Sequence, residues 1–449
     1  MVDLDEDLHL ADFKNAHQEG YDNIELIKRY TTVGMGPSQG KLSGTNAVRI
    51  LAGLNDATIN DTGTTTSRPF HHPVPLGHLA GRRFHALRRT SIHDWHLEAG
   101  AEMIHVGAWL RPESYRVSGT SREEGILEEA KHVRMEVGLI DVGTLGKLQI
   151  LGRDAAQFLE RIYTGRFVKQ RIGSVRYGLA CDELGIIIED GVVTRLAEDR
   201  FYVTATSSGA AAFYRDMQRW AILFEMDVVL VNVTGQLAAM NIVGPKSRRV
   251  LQSLTDLDLS SETFPYLGAR EATVAGVPAT LLRVGFVGEL GYEVHVPTSS
   301  GLHVWKSLLS AGQQASVRPI GVEAQRLLRL EKGHLIVGQD TDALTNPYEA
   351  GVAWAIGKNK TFFVGLRSLQ ILKRKPQQRC LVGLEFSKFD HAQLPEECHL
   401  VIEDGDIAGR ITSIAKQSTL DHPVAMAFVR PDMTEPGRII KIRNDTGSL

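Results

Sequence analysis

Cysteine is scarce in this chain: Cys181, Cys380 and Cys398 are the only three in 449 residues, and no two of them have CxxC spacing. That excludes a disulfide framework and fits a reducing compartment, so structural thiols and a cytoplasmic location are expected. Long apolar runs are missing as well. The N-terminus, MVDLDEDLHLADF, is acidic and carries no apolar run of signal-peptide length, and no stretch elsewhere approaches a bilayer span, so no membrane association is expected. The net charge is −3, which gives no basic field to recruit nucleic acid. Nucleotide-binding fingerprints are lacking too. GMGPSQG, at Gly34–Gly40, has the wrong glycine spacing and follows a helical pattern, so no FAD or NAD site of Rossmann type is expected here. With no GxSxG elbow, P-loop or Cys–His pair, an enzyme built on this chain would take its nucleophile from a ligand.

What is present is a globular composition, 43% hydrophobic and 23% charged, long enough for about three domains. Residues 1–62 read as short helices with glycine breaks, and 63–92 as an extended connector rich in Thr, Pro, Gly and His. Six of the sixteen histidines lie between His71 and His96, but none pairs with another at i, i+4 beside a carboxylate, so no metal site is expected. Residues 93–370 alternate strand-like runs with amphipathic helices, the pattern of an α+β domain. IDVGTLGKLQILG reads as a hairpin, and PKSRRVLQSL as a helix with Pro at its first position. From 371 to 449, short strands separated by Pro, Gly and Asp turns predict a small β-barrel.

The most informative segment is LLRVGFVGELGYEVHV, from Leu281 to Val296. It sets a lone carboxylate, Glu289, at a glycine-flanked turn between two apolar runs, with Phe286 and Tyr292 as flat surfaces beside it. A carboxylate accepts two parallel hydrogen bonds from adjacent N–H donors, which is what the edge of a pterin offers.

Four segments in order, GLIDVGTLGKLQILGRDAAQFLERIYT, YGLACDELGIIIEDGVVTRLAEDRFYVTAT, RVGFVGELGYEVHVP and EAQRLLRLEKGHLIVGQDTDALTNPYEAGVAWAIGKNKTFFVG, resemble the tetrahydrofolate-binding aminomethyltransferases, the glycine-cleavage T-protein family. Within it, HDWHLEAGA, GTTTSRP and LEKGHLIVGQDTDALTNP are most similar to the C-terminal half of sarcosine oxidase α subunits. The resemblance implies a three-lobed fold around a folate cavity, with the folate-binding Glu at Glu289 and pocket positions at Phe286 and Tyr292. Tyr177 matches the tyrosine before the catalytic loop. Glu189-Asp190 stands where the family carries an Asp pair, of which the first is expected to handle the proton; Asp190 is the second candidate. Arg283 and Arg329 match family arginines, each equally open to a structural ion pair.

The activity so implied is capture by tetrahydrofolate of the carbon released when a flavin-containing partner oxidises an N-methyl amine, with methylene-tetrahydrofolate as product. FAD then belongs to the partner, and the dinucleotide-binding half of the relatives would be a separate subunit, or this chain a fragment. A stand-alone folate-dependent demethylase and a noncatalytic folate-binding scaffold remain alternatives. The N-terminal helices resemble a domain that grips an iron–sulfur cluster through cysteines, but Ser38 and Ser43 fall where ligands would stand, and hydroxyls do not replace thiolates.

Overall fold

The computed structural model describes residues 1–69, 71–81, 86–386 and 394–443, and the chain divides into two units, Met1–His85 and Ala86–Leu449. In the first, helices Leu10–Gln18, Ile24–Thr31 and Gly44–Leu54 pack around Phe13, Ile27, Val48 and Leu51. Asn23 caps the second helix by accepting from the Glu25 amide at 2.9 Å. The start of the expected connector is pinned to that helix, because Lys28 donates to the Thr66 carbonyl at 2.6 Å.

The loop that would hold a cluster is filled by carboxylate hydrogen bonds. Asp3 accepts from the Gly34 amide at 2.7 Å and from the buried Ser43 hydroxyl at 2.8 Å, and Asp5 accepts from the Ser38 amide at 2.9 Å. Among the described residues no group of three or more His, Cys, Asp or Glu is placed to hold a metal ion. Anaerobically purified protein is therefore expected to contain no stoichiometric iron or labile sulfide, and a full cluster by metal analysis would show the ligands to lie elsewhere.

The second unit is α+β and is built on three sheets. The first has six strands in the order Ala269–Val274, Val277–Leu282, Gly291–Pro297, Leu237–Val243, Val137–Asp141 and Val317–Pro319. A second has five, in the order Ser174–Cys181, Ile187–Arg195, Arg200–Ala205, Gly146–Leu151 and Val229–Asn232. The third is the C-terminal sheet, in the order Cys380–Glu385, Val424–Val429, Asp406–Ala415, Leu400–Glu403 and Lys441–Arg443. Its strands fall where the short β-runs of the sequence predict them.

Two local readings need correction. IDVGTLGKLQILG is not a hairpin: Val137–Asp141 enters the first sheet and Gly146–Leu151 the second. Both runs are apolar and both are buried, so periodicity alone did not separate pairing from crossing. The helix after Pro245 begins at Ser247 with Lys246 as its cap, which leaves the proline just outside.

The chain crosses between the two larger sheets twice, at 142–145 and 233–236. The ammonium of Lys147, buried completely, fastens both crossings, donating to the Gly143 carbonyl at 2.7 Å, Leu145 at 3.0 Å and Thr234 at 3.2 Å. Burial pulls its pKa down to about 8, against the charges of Asp141 and Glu293. Among the described residues no helix is long and apolar enough to cross a membrane.

Candidate functional site

The acidic pair lies on the strand Ile187–Arg195, and strand geometry sends its two side chains to opposite faces. Leu179 pairs with Asp190 and Ala180 with Glu189 across the antiparallel ladder. That register puts Tyr177 diagonal to Asp190 on one face, within the reach of an aromatic side chain. The Tyr177 hydroxyl donates to Asp190 Oδ2 at 2.9 Å, and its ring lies 5.4 Å from that of Trp354, which is 71% exposed. Gly191 follows Asp190 by steric necessity, since a Cβ there would stand 2.0 Å from the Thr204 carbonyl oxygen.

Glu189 turns the other way and is 1% exposed. Its Oε1 accepts from the Thr206 amide and from the Asp190 amide, both at 3.0 Å, and its Oε2 from the Thr206 hydroxyl at 2.9 Å. Burial raises its pKa to about 7, opposed by the Thr206 hydrogen bonds and reinforced by the charge of Asp190. Asp190 is pushed up to about 6 by burial, opposed by the Tyr177 hydrogen bond. Burial and the negative charge of Asp190 lift the Tyr177 phenol well above its usual range, so it stays protonated and donates. A carboxyl that titrates near neutrality on the same face as two aromatic rings is suited to proton transfer at a bound amine.

Of the other candidate residues, the structure brings none beside this pair. Glu289 sits in the eight-residue loop between Val277–Leu282 and Gly291–Pro297, where Arg134 donates to it at 3.0 Å. Arg134 also donates to the Val287 carbonyl at 2.8 Å and to Glu331 at 2.6 Å, and Glu331 accepts from Thr419. Glu289 thus belongs to a fastening network. Phe286 stacks on His334 at 5.7 Å, and its carbonyl pairs with His334 Nδ1 at 2.7 Å. Tyr292 offers no surface at all: it is fully buried against Phe264 and accepts from Arg248 Nε at 3.0 Å. Arg329 is a structural ion pair with Asp340, fully buried, that also donates to Ser413 at 2.7 Å. Arg283 donates to the Phe264 carbonyl.

Sequence reasoning missed Glu293. It lies on Gly291–Pro297 and pairs with His295 Nε2 at 3.0 Å, whose Nδ1 in turn meets the Tyr202 hydroxyl at 2.8 Å. Tyr202 belongs to the second sheet, so the chain of contacts joins the two larger sheets. The available signal was a second acid in GELGYEV, standing within a strand whose neighbours Tyr292, Val294, His295 and Val296 are all buried. Trp354 was likewise unassigned. A cleft of about 490 Å³ opens at the beginning of the acidic strand, bordered by Ile187, Ile188, Asp342 and Arg410, and includes neither carboxylate of the pair.

Fold and site together have the architecture of an aminomethyltransferase. The crystal structure of the glycine cleavage system aminomethyltransferase T from Bartonella henselae superposes with a TM-score of 0.71, covering 81% of this chain and 95% of that one at 26% identity. The GCVT N-terminal domain matches residues 92–360 and the glycine cleavage T-protein C-terminal barrel domain residues 379–448. The chain belongs to the glycine-cleavage T-protein family. Residues 1–82 match the sarcosine oxidase A3 domain. The sarcosine oxidase α subunit of Corynebacterium sp. (strain U-96) is 37% identical over 98% of this chain, which spans 47% of that protein. The aminomethyltransferase of Halothermothrix orenii is 30% identical, with 79% of this chain and 95% of that protein covered. The chain therefore spans about half the length of the sarcosine oxidase subunits that it resembles.

Proposed function

We propose that this chain is the tetrahydrofolate-binding part of a sarcosine oxidase-like enzyme and serves one-carbon capture after a flavin-containing partner oxidises an N-methyl amine. The observation that carries this reading is Asp190, held by Tyr177 with its pKa raised to about 6, in an aminomethyltransferase fold. The residues fit a flat, amine-bearing ligand. Trp354 and Tyr177 provide ring surface, and among the described residues Asp190 has a single side-chain partner. Tetrahydrofolate, when bound, supplies the amine that takes up the carbon as methylene-tetrahydrofolate. Asp190 holds or releases the proton at that amine, Tyr177 keeps the carboxylate aimed, and Glu189 stays behind the strand. The raised pKa favours this reading over a noncatalytic scaffold, which has no use for a carboxyl poised near neutrality.

For the acid that receives the pterin edge, Glu293 is the better placed. Glu289 is committed to Arg134, whereas Glu293 stands between the sheets near Tyr202 and Lys147. Losing a charge-assisted acceptor is worth about 1.5–3 kcal/mol, roughly tenfold or more in affinity. Calorimetry with tetrahydrofolate is expected to show that loss for Glu293→Ala and a change within about twofold for Glu289→Ala. The opposite pattern returns the role to Glu289, and an absence of binding by the unaltered chain sinks the folate assignment. Turnover of a methyl donor by the isolated chain would favour the stand-alone demethylase, and native mass spectrometry from source cells tests for the flavoprotein partner.

A further inference from the structure

The side of the acidic strand that faces away from Tyr177 has its own construction. Glu189 reaches the turn before the helix Ala210–Leu223, where Thr206 gives it both a backbone N–H and a hydroxyl hydrogen. The same hydroxyl accepts from the Gly209 amide at 3.1 Å, so one threonine ties the carboxylate to the helix cap. Gly209 is needed for the carboxylate to fit, because a Cβ there would lie 2.3 Å from Glu189 Oε2. The third donor is the backbone amide of Asp190 itself, at 3.0 Å. Glu189 therefore fixes the peptide that carries the neighbouring acid.

Burial drives both carboxyls upward, and what separates them is the donor set. Three hydrogens point at Glu189 and a helix N-terminus lies beyond them, whereas Asp190 receives one from Tyr177. Of the three partner groups of Glu189 only the Thr206 hydroxyl can turn to accept, so a protonated Glu189 would have to reverse one of these bonds. The remaining titratable groups packed against the pair are Tyr163, from the end of the Ala155–Ile162 helix, and Tyr177, both held neutral. Among the described residues no cationic side chain bonds either carboxylate of the pair.

We propose that Glu189 is a positioning residue: clamped through Thr206 to the helix cap, it holds the Asp190 peptide so that Asp190 faces Tyr177, and its charge keeps Asp190 protonated to higher pH. This deepens the assignment of Asp190 made above and rests on it for its catalytic meaning, but its physical content is measurable without turnover. Carbon-13 labelling of the aspartate carboxyls, with Asp190→Asn identifying the resonance, follows Asp190 directly in the full chain. In Glu189→Gln, whose amide keeps the shape, the Asp190 titration is expected to move down by about one pH unit, since a like charge has been removed. Thr206→Val, which keeps the backbone donor and removes the hydroxyl, is expected to move it in the same direction by a smaller amount and guards against misfolding of the first variant.

A carbon-capture assay with formaldehyde and tetrahydrofolate should show the acid limb of kcat displaced by the same amount with KM unchanged. An Asp190 titration that stays in place in both variants overturns the proposal, as does a loss of folate affinity without any change in the pH profile. If instead the titration moves while Asp190→Asn leaves carbon capture intact, the clamp stands and the catalytic reading of Asp190 fails.

Discussion

Asp190→Asn is expected to slow folate-dependent carbon capture by roughly 10²–10⁴-fold, the usual weight of a general acid or base. Folate affinity should hold, because the amide keeps the shape and Tyr177 can still donate to it. The measurement is formation of methylene-tetrahydrofolate from formaldehyde, set against the uncatalysed condensation. A silent Asp190→Asn beside a dead Glu189→Gln would return the role to Glu189, and two silent variants would make the chain a folate carrier.

The same substitution carries a stability signature of known sign. The folded pKa of Asp190, about 6, stands above its ordinary value of 3.8, so its contribution is favourable below the ordinary value and is lost as pH rises through the folded one. Asparagine escapes that loss. Asp190→Asn should be the more stable protein at pH 8, by on the order of 3 kcal/mol, and the difference should fade toward pH 4. A site that gains stability when it loses function is the pattern expected where a fold tolerates a costly group for chemistry.

The second large effect concerns Arg329. Its guanidinium joins the helix Val322–Lys332 to the C-terminal sheet through Asp340 and Ser413, while Asp340 also accepts from Thr412 at 2.7 Å and from the Ile336 amide at 2.9 Å. Arg329→Met leaves Asp340 buried without its counter-charge, which costs about 3–5 kcal/mol. Urea unfolding of the single variant and of Arg329→Met/Asp340→Leu tests this: the double variant should recover much of the loss, because no uncompensated charge remains. A single variant within about 1 kcal/mol of the parent would show that the pair carries little weight.

Much of the architecture was legible. The three N-terminal helices, the acidic strand with its Tyr177 neighbour and the C-terminal sheet all follow local patterns of period, cap and turn. What was not legible depends on non-local partners. Nothing local distinguishes a turn that pairs two strands from one that hands the chain to another sheet, which is why Val137–Asp141 and Gly146–Leu151 were read as a hairpin. The pterin acid was sought at Glu289 because glycines surround it, but Arg134, which holds it, lies 155 positions away in sequence. Glu189 and Asp190 looked interchangeable in the sequence. Only the register with Leu179 and Ala180 decides which of them faces Tyr177.

Lys147 and the two crossings it fastens have a consequence for how the chain is made. Everything in the second sheet lies between residues 146 and 232, so that lobe is a continuous cassette inserted into the first sheet, entering and leaving through adjacent doorways. As the polypeptide leaves the ribosome, the cassette has all its ladder partners and can close by itself. Val137–Asp141, already synthesised, waits with bare edges until Leu237–Val243 emerges to pair with it. The ammonium that latches the doorways is on the cassette's own first strand. Completing the insert therefore brings its two ends together and presents the waiting strand to its partner.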